Sequence, residues 1–166
     1  MVQSPIPQHA PHSYICPLCA LARGKPLSDG ISHTSDIIYS NREAIAAISA
    51  YQWTNNPGNV IVFPVAHCEN LYSIPTDAAL AVHAIAQAIA LAMKAAWACD
   101  GISTRQHNEP AGNQDVWHYH LHVTPRFAGD DFYATLATGK YLMDEAERAD
   151  YARQLRDHLG SSSPAA

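Results

Sequence analysis

His118-Tyr119-His120-Leu121-His122-Val123, running into Thr124-Pro125-Arg126, alternates imidazoles with apolar or aromatic side chains. Period-two alternation is the mark of a β-strand, whose successive side chains point to opposite faces. His118, His120 and His122 then share one face, while Tyr119, Leu121 and Val123 line the other against a core. Three imidazoles in a row are poor packing material, because each carries two ring nitrogens that need partners and each titrates near neutrality. Their placement points to chemistry: a metal, a phosphate or a nucleophile.

The rest of the chain frames that strand. Its 166 residues, 48% hydrophobic, are enough for one domain with a proper core. The formal charge of −5, from 15 acidic and 10 basic side chains, speaks against broad nucleic-acid or acidic-membrane binding. A small local anion pocket would be invisible in that sum. No stretch reads as a membrane span, and residues 1–15 lack the basic-then-apolar order of a signal peptide. A cytoplasmic protein with no nucleic-acid and no membrane partner is the expectation. Residues 1–13, with Pro5, Pro7 and Pro11, read as a flexible leader, 14–159 as the folded domain and 160–166 as a disordered tail.

Periodicity sketches the elements. Residues 36–40 read as a strand and Asn41-Arg42 as a turn. In Ala44–Tyr51 helix and strand compete, and we read a strand paired with 36–40. Asn55-Asn56-Pro57-Gly58 is a turn, followed by Val60–Phe63 as a strand buried on both faces and stopped by Pro64. Pro75-Thr76-Asp77 opens a long helix with Thr76 or Asp77 as cap. Val82, Ile85, Ile89, Met93 and Trp97 recur on one face for packing on a sheet, and Asp100-Gly101 ends it. Ile102–Gln106 reads as a strand, Asn108–Asp115 as a loop, and 141–158 as a closing helix. The sum is an α+β fold: an antiparallel sheet with the long helix and a C-terminal helix packed on it.

Cys16 and Cys19 form a CxxC pair, half of a tetrahedral zinc site whose other half must come from distant histidines: His67 and one of the row. Such a closed site would staple the N-terminal segment to the sheet. A rival is a catalytic zinc held by His118, His120 and His122 themselves. Against it, same-face residues of a strand lie roughly 6.5–7 Å apart, so two reach one metal more readily than three. The preceding loop also looks built for an anion, since Gly112, Asn113, Gln114 and nearby amides can donate to phosphate oxygens. Cys99 reads as a buried small hydrophobe; Cys68, beside His67, stays open between core and ligand. Trp53 packs near a nucleoside or fills the core. Arg126 reads as a structural or dimer-edge partner. His9, His12, His33, His83, His107 and His158 read as solvated.

The histidine row, preceded by Ala111-Gly112-Asn113-Gln114-Asp115-Val116 and followed by Pro125-Arg126, resembles the signature of the histidine triad (HIT) family of nucleotide-binding hydrolases and transferases. The resemblance runs over roughly residues 14–130 and includes the CxxC, Pro57-Gly58, Pro64-x-x-His67 and the long helix. It implies a HIT-like fold and a homodimer. It assigns His120 as the nucleophile that attacks an α-phosphorus, His122 as the residue at the phosphate and the scissile bridge, and His118 as the support of the nucleophile. It implies structural zinc on Cys16, Cys19, His67 and His118, and a phosphate contact by Gln114. The implied reaction is hydrolysis of a purine nucleoside 5′-phosphate derivative, of adenosine phosphoramidate or AMP-ester type. The alternatives are a dinucleoside polyphosphate hydrolase and a non-catalytic nucleotide sensor. A histidine nucleophile must be neutral, so the rate is expected to fall below its pKa.

Three positions depart from the family pattern. Asn59 stands where Pro-Gly-His is common, which removes a fourth active-site histidine. Tyr51 falls where an Asp or Asn serves the ribose, a task that passes to Asn55 or Asn56 or weakens. Asp115 replaces a Ser or Thr, which narrows the substrate range or helps a cationic or amine leaving group. The loop 108–114 is one residue shorter than in relatives, so the substrate contact at Asn108 is an expectation from position.

Overall fold

Ala44–Ile48, where helix and strand compete, is a strand buried along its whole length, and its small side chains are what let it lie between two packed layers. In the computed structural model, which describes residues 6, 8–27 and 31–160, a short helix α1 (Pro17–Ala22) precedes β1 (Ile37–Ser40), β2 (Ala44–Ile48), β3 (Tyr51–Trp53) and β4 (Val60–Pro64). Then follow α2 (Thr76–Trp97), β5 (Gly101–Gln106), β6 (Leu121–Arg126), α3 (Phe132–Thr135), β7 (Lys140–Leu142) and α4 (Glu145–Gly160). Residues 1–5 and 7 of the expected leader and 161–166 of the expected tail lie outside the described residues. The described part of the leader is docked: the His9 and Ala10 amides donate to the buried Glu69 carboxylate, and His9 stacks on Trp117.

Five strands form an antiparallel sheet in the order β1-β2-β4-β6-β5. Alternation divides their side chains between two cores. Ala44, Ala46, Ile48, Val60, Val62, Tyr119, Leu121 and Val123 face α2 and α4, whereas Ile45, Ala47 and Phe63 face Leu18 and Leu21 of α1. α2 buries Val82, Ile85, Ala86, Ile89, Ala92 and Met93, each large side chain contributing about 1.5–3 kcal/mol. Contrary to the reading that no stretch suits a bilayer, α2 is long and apolar enough to cross one, yet that length lies along the sheet as a core helix. Its cap also differs from expectation. Pro75 is the N-cap residue, in extended conformation, and Asp77 bonds only the adjacent Ala78 amide. The helix ends before Asp100-Gly101, at Ala98 in left-handed conformation, where Lys94 donates to the Cys99 and Asp100 carbonyls.

The closing helix starts at Glu145 rather than 141, because Lys140–Leu142 pair with Tyr51–Trp53 as a second, two-stranded sheet and Asp144 caps the Ala146 amide. The histidine row is also only partly ladder: pairing begins at Leu121. β4 itself runs on to Pro64, but Tyr119 donates instead to the Cys68 carbonyl. The alternation of faces nevertheless holds, with Tyr119, Leu121 and Val123 in the α2 core.

Candidate active site

The three histidines share a face but not a task, and hydrogen bonds set the tautomer of each. His118, fully buried, is donor from Nε2 to the Pro64 carbonyl at 2.9 Å, so Nδ1 carries the free lone pair. That nitrogen lies 3.3 Å from Cys16 Sγ and 3.5 Å from Cys19 Sγ, and Cys19 Sγ lies 3.3 Å from His67 Nδ1. The four donor atoms all fall within 4.8 Å of one another. Metal–ligand bonds of about 2.0–2.3 Å make tetrahedral edges of about 3.3–3.8 Å, so the set fits one zinc-sized ion. α1 makes this possible: Cys16 is its N-cap residue, and the one-turn spacing brings Cys19 to the same side. Burial, then the hydrogen bond from Cys16, pushes the Cys19 thiol up to about 11, a cost that a bound cation reverses.

His120 is next along the face. Its Nδ1 donates to the His118 carbonyl at 2.8 Å, which leaves Nε2 with a lone pair. Burial lowers its pKa, against the upward pull of that hydrogen bond and of Asp115. His122 stands beside it, ring centroids 5.0 Å apart. Thr124 Oγ1 donates to Asn59 Oδ1 at 2.9 Å, which turns the Asn59 amide nitrogen toward His122 Nδ1 at 3.3 Å. His122 Nδ1 is thus an acceptor, and its proton sits on Nε2. Its pKa is pushed well below 6.5, first by burial, then by His120, Arg105, His107 and Lys140. A neutral imidazole with a free Nε2 lone pair and a neutral N–H donor therefore stand side by side.

The rival arrangement, one metal on all three row histidines, is not what the geometry makes. His118 turns to the cysteines, and Cys16, Cys19, His67 and His118 are the only such cluster among the described residues. Cys68 is settled as core. Cys99 is core as well.

In the loop before the row, the residues expected at a substrate are bound into the fold. The Gly112, Asn113 and Gln114 amides, expected to face a phosphate, donate to the Glu109 and Pro110 carbonyls and close a 3-10 turn. Gln114, expected on phosphate, is buried and braces the loop: its amide donates to Glu69 and Val116 carbonyls, and its oxygen accepts from the Glu109 amide. Asn108 likewise holds the Leu71 amide and the Gln106 side chain. Asn56, a ribose candidate, is fully buried on Pro125 and Asp130, and Asn55 donates to the Asp130 carbonyl. Most of these polar groups are held by the turns that carry them, while Asn56 Oδ1 is buried without a partner.

Other residues lie beside the row. His107, expected to be solvated, is half-buried with its ring 5.9 Å from His122 and its Nδ1 donating to the Gly112 carbonyl at 2.7 Å. Arg105 is the ladder partner of His122 on the edge strand, with Ile61 opposite on β4. Its guanidinium lies 4.9 Å over the Trp53 ring and 4.8 Å over Phe132. Lys140, from β7, sits 4.4 Å over the Tyr51 ring and 3.7 Å from the Asp115 carboxylate, linking two of the departing positions. Trp53 is buried, donating to the Leu136 carbonyl. Arg126 is structural, paired with Asp130 and donating to Ser103. Arg105 was within reach of the sequence: antiparallel pairing of 101–106 with 121–126 places it on the histidine face.

A HIT domain family model matches residues 32–129. Protein hit of Bacillus subtilis is 30% identical over 102 residues, 61% of this chain and 69% of the relative. An uncharacterized HIT-like protein of Mycobacterium tuberculosis is 29% identical over 151 residues, 91% of this chain and 97% of its own length. Among solved structures, a Zn-bound histidine triad family protein from Mycobacterium smegmatis matches with a TM-score of 0.70 at 25% identity, over 89% of this chain and 94% of that one. The matched pattern runs from the turn before β1 through the histidine row to the end of β6, on a shared antiparallel α+β fold, and on that ground the chain belongs to the HIT domain family.

Proposed function

We propose that this protein is a hydrolase acting at the α-phosphate of a nucleoside 5′-phosphate derivative through a covalent nucleotidyl-His120. The family is one of nucleotide-binding proteins and hydrolases. The observation that carries the reading is the pair of fixed tautomers: Nδ1 of His120 held by the His118 carbonyl, and Nδ1 of His122 held by Asn59. The first frees the His120 Nε2 lone pair for in-line attack. As the N–P bond forms and the bond to the leaving group breaks, the His118 carbonyl offsets the positive charge growing on the imidazole. Nε2–H of His122 donates a hydrogen bond to the phosphate or the bridging atom. Water then attacks phosphorus, the N–P bond breaks, and the mononucleotide leaves.

Cys16, Cys19, His67 and His118 would hold zinc, which supplies no chemistry to the substrate but fixes the ring of His118 and so the carbonyl that aims His120. In keeping with the family resemblance, the protein acts as a homodimer in the cytoplasm. Incubating wild type and His120→Ala with an adenylyl substrate, trapping acid-labile adducts and assaying zinc tests the scheme. Retained zinc with lost adduct and turnover supports it. Nucleotide binding by the wild type without turnover would make the protein a sensor instead. Zinc lost together with activity in His120→Ala would return the metal to the catalytic role.

A further inference from the structure

Arg105 is a cation without an anion. Among the described residues no carboxylate pairs with it, and its Nε is buried with no hydrogen-bond partner. Its neighbour Arg126 shows what a satisfied guanidinium looks like here, bound to Asp130 at 2.7 Å through both Nε and Nη2. A half-buried unpaired charge is costly, and stacking on Trp53 and Phe132 offsets only part of that cost while leaving the buried Nε–H without an acceptor. The position is specific: Arg105 is the residue directly across the ladder from His122, on the same face of the sheet.

We propose that Arg105 is the anion site for the leaving group, so that the protein acts on nucleotides whose leaving group departs with a negative charge. The inference rests on the nucleotidyl-transfer reading above and names its substrate class. It follows from the proton inventory. When the His120 Nε2–P bond forms, the electron pair of the breaking bond goes with the leaving atom. An amine would need a proton at that moment, and His122, neutral with Nε2–H, donates a hydrogen bond but is a weak acid. A phosphate oxygen needs no proton, only a countercharge, and the planar guanidinium offers paired donors for it. Lys140 is less suited, because Asp115 lies 3.7 Å from it.

The test uses binding, so it does not depend on turnover. In the full-length, zinc-loaded His120→Ala protein, AMP, ADP and inorganic pyrophosphate are titrated calorimetrically with Arg105 intact, with Arg105→Met and with Arg105→Lys. ADP is expected to bind about tenfold or more tighter than AMP when Arg105 is present. Arg105→Met, which keeps an apolar stem over Trp53, is expected to erase that ratio, and Arg105→Lys to restore part of it. A ratio that is unchanged in Arg105→Met, or AMP and ADP weakening together, would overturn the assignment. If AMP and ADP both fail to bind, the nucleotide reading falls. Pyrophosphate then still decides: binding that is absent, or that survives loss of Arg105, overturns the anion site too. Should Arg105→Met not fold, the ADP-to-AMP ratio of Arg105→Lys against the Arg105 protein decides, a fall supporting the site and no change overturning it.

Discussion

His118 faces two ways: its imidazole joins the cysteine cluster, and its backbone carbonyl orients His120. Asn59 does the corresponding work for His122, filling a place where the family pattern commonly has histidine. Replacing Asn59 with alanine strands Thr124 Oγ1 and releases the His122 ring. The expected cost is about 1–3 kcal/mol by denaturant titration, with turnover falling by about tenfold and KM changing little. His122 also predicts a pH dependence. Folded, it stays neutral well below 6.5; unfolded, it takes up a proton near 6.5. The stability it contributes is therefore fully present above that pH and is lost as pH falls through its lower folded value. The urea midpoint should drop between about pH 7.5 and 5.5, and drop less in His122→Gln. An equal drop in both would contradict this. The row itself was legible because its message is local, one alternation on one segment. The bracing of the loop by Gln114 and Asn108 was not legible, because the same residues suit a phosphate contact and a tight turn, and nothing in their spacing tells the two uses apart.

At the scale of elements, the turn from β3 to β4 shows how firmly the site is footed. Gly58 has φ +96°, and a Cβ there would meet the Trp97 ring at 2.6 Å. Trp97 cannot swing away, held by Gln154 at 2.7 Å and by the edge of Tyr151. Gly58→Ala is expected to lose about 2–4 kcal/mol, read as a shift of the denaturation midpoint at unchanged slope. The next residue is Asn59, so the same change should also reduce turnover. The strands and α2 were readable from period and turn signals. The β3–β7 pairing was not, because three-residue strands carry too little pattern to announce a partner nearly ninety positions away.

In the whole molecule, distant parts of the chain are tied by a few buried polar links. Arg148 of α4, 1% exposed, meets Asp36 at 3.0 Å and donates to the Met143 carbonyl. Asp36→Ala leaves that guanidinium buried without its counter-ion, and a loss of about 3–5 kcal/mol is expected in urea unfolding. The cysteine–histidine cluster ties α1 to the sheet in the same sense. Chelation should lower the melting temperature by about 10 °C and reduce turnover in step with zinc content, both recovered on adding zinc. Turnover surviving full metal loss would sever the link from His118 to His120. The architecture was legible from the sequence in outline, and with it Arg105 once β5 is paired with β6, while His107 and Lys140 were not, since only tertiary contact brings them beside the row.

β7 has a consequence for how the surroundings of the row can be exchanged. The family pattern ends at residue 129, yet Phe132 and Lys140, which shape the charge around His122, lie past it. A graft of residues 131–142 between relatives would exchange that shell while leaving the histidine row and Arg105 in place.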